Sequence, residues 1–280
     1  MNPLEFDSIV KNIKDLPALP AVVMELLNSI DQEDIDISVL AKKVSHDQAL
    51  TAKTLKLANS PIYGAQVKVT TIQQAITLLG FQSVRSLITA AGVAGCFPDN
   101  QCTGFEFKAF WRHSIATAVC AKVLARHLHV NQDFAFTAGL LHDIGRLVLV
   151  SCFPHDYARA ISYRTAYDCT MLEAEQHVLG LDHVIAGHAL AEHWNFSDTM
   201  QKAIAGHHEP EVPGAGFLAA IVHVADFIAH ALDLSGPADD LAPQLSLVAL
   251  TSLNMDEEAY LHVFRETELQ FEEISGVLLG

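Results

Sequence analysis

The sequence predicts an all-α protein. Apolar residues recur at helical spacing along most of its 280 residues, convincing period-two strands are absent, and helix-starting residues stand before the apolar runs. In LPALP, Pro17 and Pro20 mark the end of one helix and the start of the next, because proline disfavours helix before it and suits a first turn. Asp47 precedes QALTAKTLKLAN, and Thr70-Thr71 precede IQQAITLL, after which Gly80 suits a helix stop. The apolar stretch from Leu87 to Phe97 is too short to span a bilayer. Phe136 to Val150, FTAGLLHDIGRLVLV, reads as a buried helix. Thr170 and Glu173 form a capping-box pattern before LEAEQHVL. A helix beginning near Ser197 ends at His207-His208, AIVHVADFIAHAL is a strongly apolar helix, and Asp256 precedes a long amphipathic helix running towards Leu278.

Polar turn residues cluster at Pro98–Gly104, Glu209–Gly216 and Leu234–Pro243. They predict an N-terminal helical bundle over 1–100, a histidine-rich helical domain over 101–235, and C-terminal helices over 236–280 that pack on the core. Half of the residues are hydrophobic, enough to build real cores. The opening MNPLEFDSIVKNIKDLP has acidic residues and no apolar signal region, and no run of eighteen apolar residues occurs. Cys96, Cys102, Cys120, Cys152 and Cys169 are odd in number and never spaced C-x-x-C. The expectation is a reduced, cytoplasmic protein with no membrane partner.

The charge is uneven. Residues 1–112 carry 10 Lys/Arg and 11 Asp/Glu, a net of −1, whereas residues 113–280 carry 7 and 22, a net of −15. Such a surface repels nucleic acid, and it repels a phosphate substrate unless bound cations reverse the local field. Of 15 histidines, 13 lie between His113 and His230. Five of these (His127, His129, His155, His177 and His230) are read as surface residues.

The chemistry-bearing candidates, in chain order, are His113, His142-Asp143, His183, His207-His208 and Asp226. Asp143 and Asp226 sit inside apolar runs, where a lone carboxylate costs several kcal/mol unless it is paired or coordinates a metal. Alternatives are an N-cap role, or burial against Arg146 or Lys122. His207-His208 could instead be a helix C-terminus favoured by the dipole. Imidazole and carboxylate together suit one or two divalent ions. Fe or Mn is favoured and Zn or Ni is compatible, and no cysteine is placed to join them.

GLLHDIGRLVL, the upstream His113, GHHEP and VADFIAHAL resemble the HD superfamily of metal-dependent phosphohydrolases. LPALP, SHDQALTAKTLKLANSPIYG and TIQQAITLLGFQSVRSLI resemble the HDOD (HD-related output domain) family of bacterial signalling proteins. Together these motifs cover most of residues 12–232. The resemblance implies that His113, His142, Asp143 and Asp226 are the founding metal ligands. It implies that His183 (with Gly187 four residues on, and preferred to His188) and His207-His208-Glu209 match the further histidines of binuclear HD-GYP relatives. It also implies a phosphohydrolase in which Asp143 orients or deprotonates the nucleophile and Arg146 steadies an anionic substrate, a nucleotide or other small phosphorylated molecule. A non-catalytic output module that docks signalling proteins is the alternative, and a di-iron oxygenase is a third. The sequence departs from HD-GYP enzymes in reading HDIGR for HDIGK, in lacking G-Y-P after HHE, and in having Ala109 where trinuclear relatives supply a Glu. Cyclic di-GMP hydrolysis and a third metal are therefore not expected.

Overall fold

Capping side chains begin the helices as the sequence asks. Leu50 N–H donates to Asp47 Oδ1 at 2.9 Å, and Gln74 N–H donates to Thr71 Oγ1 at 3.1 Å. Thr170 and Glu173 close a full capping box, and Ala259 N–H donates to Asp256 Oδ1 at 2.8 Å. The computed structural model describes residues 4, 6–28, 37–59, 68–97, 102–234 and 241–279, and among these every regular element is a helix. Parts of the predicted boundary at Pro98–Gly104, of the segment Leu234–Pro243 and of SHDQALTAKTLKLANSPIYG lie outside the described residues.

The first half holds α1 (Phe6–Ile13), α2 (Ala21–Asn28), α3 (Ile37–His46), α4 (Gln48–Ala58), α5 (Ile72–Leu79) and α6 (Phe81–Cys96). Helices α2 to α6 pack on one another as a bundle. The second half holds α7 (Phe107–His127), α8 (Gln132–Leu141), α9 (Ile144–Cys152), α10 (Pro154–Tyr167), α11 (Met171–Leu179), α12 (His183–His193), α13 (Asp198–Gly206) and α14 (Phe217–Ala231). Two C-terminal helices follow, α15 (Leu247–Ser252) and α16 (Glu257–Leu279).

One apolar core runs from Ile9 to Val222 and joins both halves. Helix α1 lies against α9 and α12, and just before it Leu4 N–H donates to Leu179 O at the end of α11 at 2.6 Å. Helix α6 meets α8 at a buried Arg85–Asp133 ion pair of 3.3 Å. The long α7 is the hub, with α8, α14 and α16 around it. Arg112 lies 4.8 Å over the Phe271 ring, and Arg126 pairs with Glu266, so α16 is held along α7 at two points. All five cysteines are free thiols.

The stretch Phe136–Val150 is not one helix. Helix α8 ends at Leu141 and α9 begins at Ile144, with Asp143 at φ −96° and ψ 13° between them. The break puts His142 and Asp143 at facing helix ends rather than on a continuous apolar cylinder. The Gln132–Cys152 stretch is apolar enough to cross a membrane by composition, yet 89% of it is buried inside this protein.

Candidate metal centre

Two glycines set the site. Helix α7 crosses α8 so closely that a Cβ on Gly139 would lie 2.8 Å from Ala118 Cα. Helix α9 crosses α12 more closely still, and a Cβ on Gly145 would lie 1.8 Å from His183 O. Only glycine permits such backbone approach. The first crossing brings His113 of α7 to His142 at the end of α8. The second brings His183 of α12 to Asp143 at the start of α9. His207-His208 arrive at the end of α13, and Asp226 reaches in from α14.

The resulting cluster has two sides. On one, His113 Nε2 lies 3.3 Å from His142 Nε2 and 3.0 Å from Asp226 Oδ1, and His142 Nε2 lies 3.7 Å from the same Asp226 oxygen. On the other, Asp143 Oδ1 lies 3.2 Å from His183 Nε2 and 3.5 Å from His207 Nε2, and His183 Nε2 lies 3.0 Å from His208 Nε2. Asp143 Oδ1 also stands 3.7 Å from His142 Nε2, so this carboxylate lies between the two sides.

The tautomers are fixed from behind. His142 Nδ1 donates to Gly139 O and His207 Nδ1 to Ile204 O, each at 2.7 Å. His183 Nδ1 donates to Glu175 Oε2 at 2.6 Å. A carbonyl or carboxylate can only accept, so a hydrogen sits on each of these Nδ1 atoms and Nε2 is the nitrogen turned inward, able to bind an ion once it carries no proton. Two unprotonated Nε2 atoms facing at 3.0–3.3 Å repel unless a cation, a proton or a metal ion, lies between them. His207 Nε2 and Asp226 Oδ1 are sealed from solvent with no aligned hydrogen-bond donor. Metal–ligand bonds of about 2.1 Å put cis ligands of an octahedron about 3.0 Å apart and tetrahedral ligands about 3.4 Å apart. The interligand distances match, and the donor set suits a divalent metal. The backing of His142, His183 and His207 by a carbonyl or carboxylate is the usual support of metal-binding histidine.

Burial favours the neutral forms throughout, and the charges of the cluster oppose it. Asp143 loses solvation, yet His142, His183 and Arg146 hold its carboxyl well below the usual range. Asp226 is likewise lowered against its burial by His113, His142 and His230. Burial takes His142 down to about 4 and His208 well below its ordinary value. His183 goes the other way. Burial would lower it, but Glu175 and Asp143 raise it to about 9.

A polar chain supports the second side. Tyr157 O–H donates to Glu175 Oε1 at 3.0 Å, Arg146 Nε donates to Tyr157 Oη at 3.1 Å, and Arg146 Nη1 donates to Asp143 Oδ2 at 3.2 Å. Arg146 is thus tied to Asp143, one of the alternatives the sequence left open. The cleft above the cluster has a volume of about 580 Å³. His113, Asp143, Arg146, His183 and His208 form its floor, and Glu173, Glu209, Glu211 and residues 241–248 form its rim.

The structure brings together all the expected ligands, His113, His142, Asp143, His183, His207, His208 and Asp226. His188 belongs to no such cluster among the described residues. The reading of His230 as a surface residue is corrected. Its side chain is 12% exposed, and its Nε2 lies 3.6 Å from Asp226 Oδ1. Sequence reasoning also missed Glu175, Tyr157 and His223. His223 Nδ1 donates to His207 O at 2.7 Å, and Ser246 N–H donates to His223 Nε2 at 2.9 Å. His223, Asp226 and His230 share the i, i+3, i+7 face of an apolar helix, a spacing that could have revealed them. Glu175, alone on an amphipathic helix, carried no such signal.

The HDOD domain family model matches residues 16–210. The chain belongs to the HDOD family. This HDOD protein is similar to an uncharacterized protein of Treponema pallidum, with 27% identity over 209 residues, 74% of this chain and 40% of that protein. It is also similar to Ribonuclease Y of Lactobacillus gasseri, with 30% identity over 119 residues, 42% of this chain but 17% of the ribonuclease. The chain therefore spans less than half the length of these curated relatives. Among solved structures, it is similar to a Shewanella amazonensis protein whose name carries a phosphohydrolase assignment. That match has a TM-score of 0.74, 29% identity, and coverage of 97% of this chain and 98% of the other.

Proposed function

We propose that this HDOD protein is a metal-dependent phosphohydrolase of bacterial signalling, acting on a small nucleotide-like phosphoester with one or two divalent ions. The observation that carries the reading is the ring of inward-facing Nε2 atoms around two buried carboxylates, with Asp226 Oδ1 and His207 Nε2 sealed from solvent without a hydrogen-bond partner. Fe or Mn suits this nitrogen and oxygen set best, and Zn or Ni is compatible. His113, His142, Asp143 and Asp226 would hold one ion, and Asp143, His183, His207 and His208 the other. Such ions would supply Lewis acidity towards a phosphoryl oxygen and acidify water.

The chain's own residues do the rest. Asp143 serves both sides through Oδ1 and meets Arg146 through Oδ2. A carboxyl held that far down orients a water rather than storing its proton. Arg146, fixed by Tyr157 and Asp143, is the one Arg or Lys side chain lining the cleft among the described residues, and it would steady one phosphoryl group. Glu173, Glu209 and Glu211 on the rim disfavour a polyanion, so RNA and cyclic dinucleotides fit poorly. The phosphohydrolase assignment of the Shewanella relative and the ribonuclease match agree with phosphoester chemistry. A second reading, an interaction module for signalling proteins, draws on the exposed Leu241, Leu247 and Val248 at the cleft mouth.

The test pairs metal content, by plasma mass spectrometry, with a panel of nucleotides, cyclic dinucleotides and an aryl phosphate. Wild-type protein is expected to hold metal and turn over a mononucleotide or the aryl phosphate, and Asp143→Asn to lose both properties. Metal without turnover of any member would replace the enzyme with the interaction module.

A further inference from the structure

His230 is the histidine of the cleft that neither the family motifs nor the sequence reading employs. It follows Asp226 by one helical turn on α14, the spacing that puts two side chains on one face. Its Nε2 lies 3.6 Å from Asp226 Oδ1, and its ring centroid lies 4.6 Å from that of His113. Asp226 Oδ1 is therefore ringed by the Nε2 atoms of His113 at 3.0 Å, His142 at 3.7 Å and His230 at 3.6 Å. That oxygen is 4% exposed at side-chain level and has no aligned hydrogen-bond donor. Three nitrogens around an orphaned carboxylate oxygen, at the separations of ligands sharing an ion, describe a cation position.

We infer that His230 is a further metal ligand, on the His113 side of the cluster. The inference rests on the metal-centre reading above and goes beyond its ligand set. With it, the two ion positions become unequal. The His113 side has the triad His113, Asp226 and His230, with His142 3.3 Å from His113 and Asp143 shared with the other side, so it is the richer in donors. The His183 side has Asp143, His183, His207 and His208, and it keeps more positions open to water and to a phosphoryl oxygen. The side chain of His230 lines the cleft, so it also closes the His113 side against solvent. The geometry assigns tight, structural-grade retention to the His113 position and exchange to the other.

The experiment titrates Mn²⁺ and Zn²⁺ into the chelator-stripped 280-residue chain. Stoichiometry is read by plasma mass spectrometry and affinity by competition with a chromogenic chelator. Wild type is expected to bind two ions in two distinguishable phases. His230→Gln and His230→Ala should weaken the tighter phase by about tenfold or more and leave the other in place. His188→Ala, outside the cluster, should bind as wild type does. A second readout needs no variant. Carbethoxylation mapped by mass spectrometry should modify His230 in stripped protein and spare it in metal-loaded protein. Both phases unchanged in the His230 variants, or His230 equally reactive with and without metal, overturns the assignment. A wild type that binds no ion at all would instead sink the metal-centre reading itself, so the two failures are distinguishable.

Discussion

The two sides of the cluster solve the same problem by different means. On the His113 side, His142 is oriented by a main-chain carbonyl of its own helix end, Gly139 O. On the His183 side, His183 is oriented by a side chain, Glu175, which is held by Tyr157 and through it by Arg146. A backbone support cannot be removed without unfolding the helix end. A side-chain support can be removed by one substitution, and it brings charge with it. The difference teaches that the His183 side is the adjustable half of the centre. The proton affinity and orientation of His183 run through one carboxylate, whereas His207 on the same side keeps a main-chain support at Ile204 O.

The largest expected effect comes from the glycine crossings that set the sides apart. Gly145→Ala drives a Cβ into His183 O and Gly187 N, both backbone atoms of α12, which cannot step aside as a side chain would. Such overpacking costs about 3 kcal/mol or more. A thermal melt should show a large loss of stability, and metal titration should show the His183-side ion lost first. Gly139→Ala meets Ala118 backbone instead and should strike the His113 side first. If both variants lost the same ion, the two sides would not be independent.

Glu175→Gln is the next test. It keeps the shape of the side chain but removes the charge behind His183. Loss of such a supporting carboxylate typically costs about 10–100-fold in metal affinity. Competition titration should place that loss in one of two binding phases, with the His113 side unmoved. Equal weakening of both phases would mean that Asp143 transmits the change across the cluster.

The HDOD motifs and capping patterns made the helical fold and the residues of the candidate site legible, because both depend on local spacing. Asp47, Thr71 and Thr170 cap helices where their residue types say they should. Asp143 and Asp226 were visible because a carboxylate in an apolar run needs a reason to be there. Glu175 was not visible. Its burial follows from α11 packing against α10 and from the Tyr157 hydroxyl above it, and neither is encoded in nearby residues. His230 was lost among exposed histidines for a related reason. One histidine on a helix looks the same whether it faces water or an acidic neighbour one turn away.

The smallest effect is the most specific to the comparison, and it is a slope. In the metal-free protein Glu175 and Asp143 raise His183 to about 9, against the burial that would lower it. Below that pH His183 carries two ring protons, and an ion can bind its Nε2 only by displacing one. Affinity of the His183-side ion should therefore rise with pH across the neutral range, by about tenfold per unit for the one proton displaced, and level off near the raised value. His142 is lowered to about 4 and is already neutral there, so on its own side any slope comes from His113, which Asp226 and Asp143 raise against its burial. Glu175→Gln removes the largest charge that raises His183. The rise should then level off at lower pH, even where the affinity itself is weaker. Isothermal titration in two buffers of different ionisation enthalpy counts the protons released. About one proton released at pH 7 in the His183-side phase of wild type, and fewer in the variant, fits a side-chain-supported His183. An unchanged count would place the displaced proton elsewhere in the cluster, and the contrast between a charged and a backbone support would lose its chemical consequence.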